Sequence, residues 1–189
     1  MNLKSTFEGK KVLITGNTGF KGSWLTIWLL SLGAEIHGIA LDPPTQPSIF
    51  SESKLVGLIN HHFINIQDQL KVAKLIKDIQ PDFIFHLAAQ PIVKYSYENP
   101  IETWKTNVYG TVNVLDSLRW LNKKCTSIFI TSDKCYANSE WVWGYRENDS
   151  LGGDDPYSAS KGAAEIAINS YKKSFFNNGE ILIASARAG

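Results

Sequence analysis

The sequence predicts an α/β protein with a doubly wound parallel sheet, and three observations lead to this class. Short apolar runs alternate along the chain with segments of helical period, which is the pattern of strands joined by crossover helices. The runs are continuous and β-branched, as expected of strands that are buried on both faces. Polar clusters follow four of these runs, and the carboxyl ends of the strands form the ligand crevice in such a sheet.

The individual elements follow from the same alternation. Asp68 is suited to cap the second predicted helix. That helix carries an apolar stripe of Leu70, Ala73, Leu75, Ile76 and Ile79. The third carries Ile101, Trp104, Val108, Val112 and Leu115, a stripe fit to pack on the sheet. The predicted strands are 11–15, 35–41, 62–66, 82–89 with its exit turn, 126–132 and 180–189, and the predicted helices are about 20–32, 69–79, 100–121 and one from about Pro156.

Composition excludes several classes of function. A length of 189 residues with 43% hydrophobic content suits one domain with a sizeable core, and a net charge of +1 without a basic stripe argues against nucleic-acid binding. Two cysteines form no disulfide framework and suit a reducing cytoplasm. No signal peptide or membrane span is expected, because the longest apolar stretch is too short. His61 and His62 have no third ligand at a suitable spacing, so no metal site is predicted, and His86 is expected in the core.

The glycines after the first strand predict a dinucleotide site. Gly16, Gly19 and Gly22 follow at three-residue intervals, where a phosphate must approach backbone N–H groups at a helix N-terminus. Asp42 lies twenty positions after Gly22 and ends the second strand, where a carboxylate accepts from both ribose hydroxyls of NAD and repels the 2′-phosphate of NADP. The alternatives are an ordinary strand-to-helix turn and a turn aspartate before two prolines.

Two further polar groups predict proton-transfer chemistry. Tyr157 and Lys161 are four apart on a helix and project from one face. A phenol with an ordinary pKa of about 10 becomes a base near neutral pH only when a cation stabilises its anion, which Lys161 can supply. The alternative is an ordinary surface pair. Ser132, Asp133 and Lys134 follow the fifth strand in direct succession, an additional acid–base set.

These motifs together resemble those of the extended short-chain dehydrogenase/reductase superfamily, in its nucleotide-sugar branch. TGNTGFKG, HLAAQ, TNVYGT, TSD, YSASK and SARAG match its motifs in order along essentially the whole chain. Within that branch, GFKGSWL, ALDPPT, TSDKCY, EWVWGYRE and DPYSASKG are most similar to the 4,6-dehydratases that act on CDP-glucose. Two positions depart from the pattern: Asn17 replaces an expected histidine, and Asn65 replaces an aspartate that usually faces adenine.

The resemblance implies a Rossmann fold that binds NAD and a nucleotide-sugar substrate, CDP-glucose. Gln90 and Ser132 would contact the substrate. It implies a homo-oligomer, a dimer or tetramer, with helices 100–121 and the one after Tyr157 in a dimer bundle. The residues implied to bind the cofactor are Gly16, Gly19, Phe20, Gly22, Asp42, Asn65, Ile66, Leu87, Ala88, Ala89, Thr131, Tyr157 and Lys161.

The resemblance also implies a reaction without net redox change. NAD takes hydride from C4 of the glucose ring while Tyr157 takes the O4 proton and Ser132 hydrogen-bonds O4. The 4-ketone acidifies the C5 proton, water leaves, and the hydride returns to C6. Asp133 would protonate the leaving C6 hydroxyl. Lys134 would be the C5 base, or an ammonium that stabilises the enolate; related dTDP-glucose dehydratases carry Asp-Glu at these two positions.

Three questions remain open from the sequence. Family members continue past RAG into a C-terminal substrate domain, so residues 1–189 are expected to be the NAD-binding domain of a truncated chain. The aromatic loop SEWVWGYRENDSLGGDDP is expected to close over the site, to pack against another subunit, or to serve as a hydrophobic plug. The alternative functions are a dehydratase for dTDP- or GDP-hexose, a C4 epimerase or simple dehydrogenase, and a catalytically inactive NAD-binding domain. Sugar supply for surface polysaccharide is the expected role.

Overall fold

A computed structural model describes residues 2–177 and 179–189, and these residues form one six-stranded parallel sheet. The strand order is β3-β2-β1-β4-β5-β6, so the sequence runs outward from the centre in both directions and the predicted doubly wound class is confirmed. The strands are β1 (Lys11–Thr15), β2 (Glu35–Ala40), β3 (Asn60–Phe63), β4 (Phe83–His86), β5 (Cys125–Ser132) and β6 (Ile181–Ala188).

The helices connect these strands in the predicted order. Among them, α4 (Gln69–Ile79) is capped by Asp68, which accepts from the Lys71 amide as the sequence predicts. The long helix predicted at 100–121 consists of α6 (Pro100–Trp104), a π-helical turn at Lys105–Tyr109, α7 (Gly110–Ser117) and a final 3₁₀ turn. The helices are α1 (Leu3–Phe7), α2 (Phe20–Ser31), α3 (Ile49–Glu52), α4 (Gln69–Ile79), α5 (Val93–Glu98), α6 (Pro100–Trp104), α7 (Gly110–Ser117) and α8 (Pro156–Phe175).

The sheet carries a separate core on each face. One core joins Leu13, Ile84 and Phe129 of the strands to α4, α7 and α8. The other joins Val12 and Ile14 to α1 and α2. On that second face β6 is open to solvent, and its Leu182 side chain is 55% exposed. Within the described ranges no helix is long and apolar enough to cross a bilayer.

The third strand lies two residues earlier than the sequence predicts. It pairs with β2 from Asn60 to Phe63 and ends opposite Ala40, where β2 itself ends. The predicted residues 64–66 instead form a turn, in which the Asn65 side chain accepts from the Gln67 amide. Their apolar alternation reflects packing, because Ile66 is buried in the core without belonging to the ladder.

The apolar stripes of the helices are only partly the faces that the structure buries. In α4 the buried residues are Val72, Ile76 and Ile79, whereas Leu70 is 81% exposed. In the long helix Leu115 is buried, but Ile101 is 70% exposed and Trp104 also faces outward. Polar residues with internal hydrogen bonds face the interior here instead, namely Thr103, Asn107, Thr111 and Asn113. Of the predicted stripe only Leu115 is fully buried, so the prediction that the stripe packs on the sheet is wrong for the turns before it.

Candidate active site at the carboxyl edge of the sheet

The turn between β1 and α2 is built so closely that two of its glycines cannot be replaced. Gly16 has a φ of +73°, and a Cβ there would lie 2.7 Å from the Ala88 nitrogen. A Cβ on Gly22 would lie 2.1 Å from the Gly16 carbonyl oxygen. Gly19 differs, because its Cβ would meet only that oxygen, at an ordinary 3.4 Å. Gly19 caps α2 without a side chain, which leaves room at a helix N-terminus for a phosphate to approach the backbone.

This turn borders a cavity of about 530 Å³ at the carboxyl ends of the strands. The structure brings together in its wall every residue that the sequence predicts to bind the cofactor, from the glycine turn to Lys161. They lie on separate elements, and only the parallel sheet makes them neighbours. The residues are Gly16, Gly19, Phe20, Gly22, Asp42, Asn65, Ile66, Leu87, Ala88, Ala89, Thr131, Tyr157 and Lys161.

Tyr157 and Lys161 lie on the first turns of α8 and close one side of this cavity. Asp155 fixes the start of the helix by accepting hydrogen bonds from the amide and the hydroxyl of Ser158. Tyr157 and Lys161 are both buried. Burial lowers the pKa of Lys161 to about 8, against the attraction of Glu165 and with the repulsion of Lys21. Lys161 is therefore still mainly an ammonium at pH 7, close to the phenol.

Asn107 was missed by the sequence analysis and holds α8 in place from the π-helical turn. Its amide nitrogen donates to the hydroxyl of Ser160 (2.9 Å) and to the carbonyl of Gln90 (3.0 Å), and its oxygen accepts from the Gln90 amide (2.8 Å). The side chain of Gln90 bonds to Thr103 and to the Ile92 amide. Gln90 was predicted to contact substrate, but its polar atoms are used inside the fold. An asparagine inside a helical pattern was the signal for this role.

Ser132, Asp133 and Lys134 lie at the carboxyl end of β5, with Ser132 as the last residue of the strand. A 3₁₀ turn at Asp133–Cys135 follows Ser132, whose hydroxyl donates to Asp133 (3.0 Å) and accepts from the Lys134 amide (3.2 Å). Asp133 lines a second cavity, of about 500 Å³, and Lys134 lines neither of the two cavities. Both side chains are exposed. Tyr157 lines the first cavity and Asp133 the second, so the expectation that both face the same hexose stays a prediction.

The aromatic loop forms a wall of the second cavity. The rings of Tyr136 and Tyr145 stack at 5.0 Å, and Trp141 packs on both Trp143 and Tyr145 at 5.5 Å. Trp143 is nonetheless 60% exposed. The loop is thus ordered by its own rings, beside Asp133. Glu165 and Arg187, which pair at 2.9 Å behind this wall, were also missed by the sequence analysis.

The histidines and cysteines have structural surroundings. His86 is buried as predicted, between Thr15 and Thr111. His37 and His62 stack at 5.9 Å, and His61 contacts Asn17 at 3.2 Å. Within the described ranges no group of metal-ligating residues is close enough to hold a metal ion. Cys125 and Cys135 are buried free thiols, and burial raises the pKa of each to about 11.

The chain has extensive similarity to known proteins. It is 49% identical over 191 residues to the CDP-glucose 4,6-dehydratase of Salmonella typhimurium, covering 98% of this chain and 53% of that protein. It is 32% identical over 197 residues to the CDP-paratose 2-epimerase of Salmonella typhi, covering 95% of this chain and 58% of the relative. The solved structure of Pal from Bacillus thuringiensis superposes with a TM-score of 0.79 at 27% identity, over 94% of this chain and 55% of that one.

The lengths and a family model complete the comparison. The chain spans about half the length of the curated relatives it matches. The model described as GDP-mannose 4,6 dehydratase matches residues 13–185, which include the glycine turn, the triplet after β5 and the Tyr157–Lys161 pair. The chain therefore belongs to the GDP-mannose 4,6 dehydratase family.

Proposed function

We propose that this protein is an NAD-dependent nucleotide-sugar 4,6-dehydratase that converts CDP-glucose to CDP-4-dehydro-6-deoxyglucose. The similarity over 98% of the chain to a CDP-glucose 4,6-dehydratase carries the choice of reaction and sugar nucleotide. The cavity that unites the glycine turn with Tyr157 and Lys161 supports a reaction in which a dinucleotide and a phenol act on one substrate.

The residues around the first cavity fit NAD. Gly19 leaves space for a phosphate at the N-terminus of α2, and Asp42 lies two residues beyond the end of β2, in the cavity wall where a ribose diol would lie. No arginine is among the described residues of the cavity wall, so a 2′-phosphate would find no guanidinium there. When bound, NAD supplies a hydride acceptor for sugar C4 and a hydride donor for C6.

Tyr157 is the proposed base for the first proton transfer. Its phenol would accept the O4 proton as the C4 hydrogen leaves, and the Lys161 ammonium would stabilise the phenolate. Ser132 would orient O4 by hydrogen bonding. Thr131, which directly precedes Ser132 in the sequence, lines the cavity.

The elimination step is assigned to the next two residues. Asp133 would protonate the C6 hydroxyl as water leaves. Lys134 would remove the C5 proton, or as an ammonium stabilise the C4–C5 enolate. The exposed side chain of Asp133 lines the second cavity, where its carboxylate is accessible to a bound sugar.

The proposal is tested with the full-length protein that contains these 189 residues. It should convert CDP-glucose to a 4-keto-6-deoxy product with no net change in absorbance at 340 nm, and faster than it converts dTDP-glucose or GDP-mannose. Net accumulation of NADH would instead indicate a dehydrogenase. The Tyr157→Phe variant should lose about 10²-fold or more in kcat, because proton transfer in the first step loses its base.

A second candidate is a C4 epimerase. The exposed position of Asp133 and Lys134 favours it, since epimerisation needs only the phenol, the lysine and the serine hydroxyl. A galactose-configured product from CDP-glucose, with the 6-hydroxyl retained, would decide for the epimerase.

We infer that the protein forms a homodimer through the outward face of α6 and α7. Trp104, Val108 and Val112 line a shallow groove of about 670 Å³ on this face, and Ile101 extends the apolar surface. A second copy that presents the same helices would bury these side chains without exposing polar ones. Light scattering should give a dimer or a tetramer for the native protein, and Val108→Arg should give a smaller species. An unchanged mass would contradict this interface.

We propose that residues 1–189 form the cofactor-binding and acid–base domain, and that residues outside them recognise the cytidine. The twofold length of the relatives supports this division. Calorimetry on residues 1–189 should detect NAD but no CDP-glucose, whereas the full-length protein should bind both. We also propose a cytoplasmic location, which the two buried free thiols support.

A further inference from the structure

A buried carboxylate one turn beyond Lys161 has no part in the steps above. Glu165 is 5% exposed on α8. Its Oε1 accepts a hydrogen bond from the hydroxyl of Thr131, the last residue of β5 before Ser132. Its Oε2 accepts from the hydroxyl of Ser185 (3.0 Å) and from the guanidinium of Arg187 (2.9 Å), both on β6. One side chain therefore ties α8 to two strands.

Arg187 extends this network to the loop that forms the second cavity. Its Nη1 donates to the phenol oxygen of Tyr136 (2.6 Å) and to the carbonyl of Glu147 (3.1 Å), while its Nη2 bonds Glu165. The guanidinium also lies over the Tyr136 ring, 4.8 Å from its centroid. The hydrogen bond to Glu165 raises the pKa of Arg187, so the guanidinium keeps its charge.

The network joins the two groups of proposed catalytic residues. Tyr157, Lys161 and Glu165 are spaced by four residues each along one face of α8. At the other end, the Tyr136 amide donates to the Asp133 carbonyl (3.2 Å) and closes the 3₁₀ turn that carries Asp133 and Lys134. A continuous chain of contacts thus runs from α8, which carries Tyr157, to the 3₁₀ turn, which carries Asp133.

We propose that the Glu165–Arg187 ion pair is a positioning device that sets the Asp133–Lys134 turn relative to Tyr157 and Lys161, an inference that rests on the proposed dehydratase function. A buried ion pair is a poor source of stability, because desolvation offsets the attraction of the charges. The branched guanidinium of Arg187 instead makes several directed contacts at once, which an apolar pair could not make. The fork of Arg187 holds a helix residue and a loop residue at once, which fixes their separation.

The variant that isolates positioning is Arg187→Lys. Lysine keeps the charge beside Glu165, but a single ammonium cannot also reach Tyr136 and the Glu147 carbonyl as a planar fork does. The matched control is Arg119→Lys, since Arg119 pairs with Asp116 at 2.9 Å on the exposed surface. The double variant Glu165→Gln, Arg187→Gln removes both charges and so avoids leaving one of them buried without a partner.

Single-turnover absorbance at 340 nm in the full-length protein separates the two halves of the reaction. The rise reports C4 oxidation and the decay reports water loss with hydride return. In Arg187→Lys the decay should slow about tenfold or more while the rise changes less than about threefold, because the turn that carries Asp133 shifts and the phenol stays in place. The double variant should slow the decay in the same way, but its rise should slow as well, because Lys161 loses the attraction of Glu165 that raises its pKa. Arg119→Lys should match the wild type in both phases. Equal slowing of rise and decay in Arg187→Lys, or no slowing of either, would overturn the proposal.

Hydrogen exchange gives a readout that does not depend on turnover. The amides of Tyr136, Ala137 and Gly152 are hydrogen-bonded within the turn and its loop. In Arg187→Lys and in the double variant they should exchange about tenfold faster, with β1 and β4 unchanged. Unchanged protection of these amides would refute the positioning role even if CDP-glucose is dehydrated. Failure of the wild-type protein to dehydrate any nucleotide sugar would refute the proposed function alone.

Discussion

At the scale of a single residue, the buried ammonium of Lys161 lowers the stability of the fold and is proposed to assist the reaction. Its ammonium is buried beside Tyr157, and burial lowers its pKa from 10.5 to about 8. Between these two values the unfolded chain binds a proton that the native state does not, so the free energy of unfolding rises with pH in this window. At neutral pH the buried charge costs at most about 3 kcal/mol. In the proposed mechanism this charge is needed to stabilise the Tyr157 phenolate.

We therefore expect Lys161→Met to be more stable than the wild type and inactive. Methionine fills the same space without a charge, so its thermal midpoint at pH 7 should lie several degrees higher. The difference should shrink as the pH rises from 8 toward 10.5, where the wild-type lysine loses its proton. Calorimetry at pH 7 and pH 10 without cofactor makes the comparison, with Lys124→Met on the exposed surface as the control. A lower midpoint for Lys161→Met at pH 7 would show that the buried ammonium stabilises the fold.

The proposed site residues differ in how far the sequence could locate them. A spacing of four residues fixes that Tyr157 and Lys161 share a helix face, and the face that contains them borders the cavity. Ser132, Asp133 and Lys134 are placed by the sequence at the end of a strand, but the direction of each side chain depends on the turn that follows. The 3₁₀ turn at Asp133–Cys135 carries no sequence signal of its own.

At the scale of an element, the turn between β1 and α2 assigns different tasks to its glycines. We expect Gly22→Ala to lose about 3 kcal/mol of stability, because its Cβ would lie 2.1 Å from the Gly16 carbonyl. Gly19→Ala meets that oxygen only at 3.4 Å, so its stability should change by less than about 0.5 kcal/mol. Its NAD affinity should nevertheless fall about tenfold or more, since the new methyl group stands where a phosphate approaches.

Urea unfolding without cofactor and calorimetric titration with NAD separate the two glycine effects. Gly57→Ala serves as the control, because its Cβ would meet no atom within 4 Å. If Gly19→Ala bound NAD as tightly as the wild type, the phosphate would have to lie elsewhere.

Apolar periodicity predicted the helices better than it predicted their buried faces. In α4, Val72, Ile76 and Ile79 are buried with the 3.6-residue period of a helix. Leu70, in the first turn, is exposed. In α6 the outward stripe is apolar while the inward face bears Thr103 and, in the next turn, Asn107. The buried polar groups Thr103 and Asn107 both hydrogen-bond to Gln90, and such pairings cannot be predicted from a hydrophobic pattern. A helix with an apolar outer face points instead to a partner.

At the scale of the whole molecule, strand order and crevice were predictable because parallel α/β topology has few solutions. Right-handed crossovers and a change of direction after β3 give the order seen here. What the sequence could not provide were the contacts between distant segments, such as the link from Glu165 through Arg187 to Tyr136. These pairings join residues 22 to 51 positions apart. They depend on the packing of β6 beside β5.

The buried His86 of β4 is hydrogen-bonded to β1 and to α7, and its burial makes the free energy of unfolding depend on pH. Thr15 donates to its Nδ1 (2.8 Å), and its Nε2 must donate to Thr111 (3.1 Å), because the Thr111 hydroxyl already donates to the Asn107 carbonyl (2.7 Å). The ring is thus satisfied as the neutral tautomer. Burial, together with the charge of Lys161, lowers its pKa to about 3.

This burial predicts how the protein responds to acid. Between pH 6.5 and about 3 the unfolded chain takes up a proton at His86 that the native state does not, so the free energy of unfolding should fall by up to about 1.4 kcal/mol per pH unit. His86→Gln should be less stable at pH 7 but should show a slope that is shallower by up to this amount. Urea titrations at pH 7, 6, 5 and 4 measure both slopes. His61→Gln is the matched control, because His61 is only half-buried, and its variant should change the slope much less. Parallel slopes for the wild type and His86→Gln would mean that His86 takes up its proton in the native state as readily as in the unfolded chain. Thr15 would then have to accept a hydrogen bond from Nδ1 instead of donating one to it, while the bond from Nε2 to Thr111 would keep its direction.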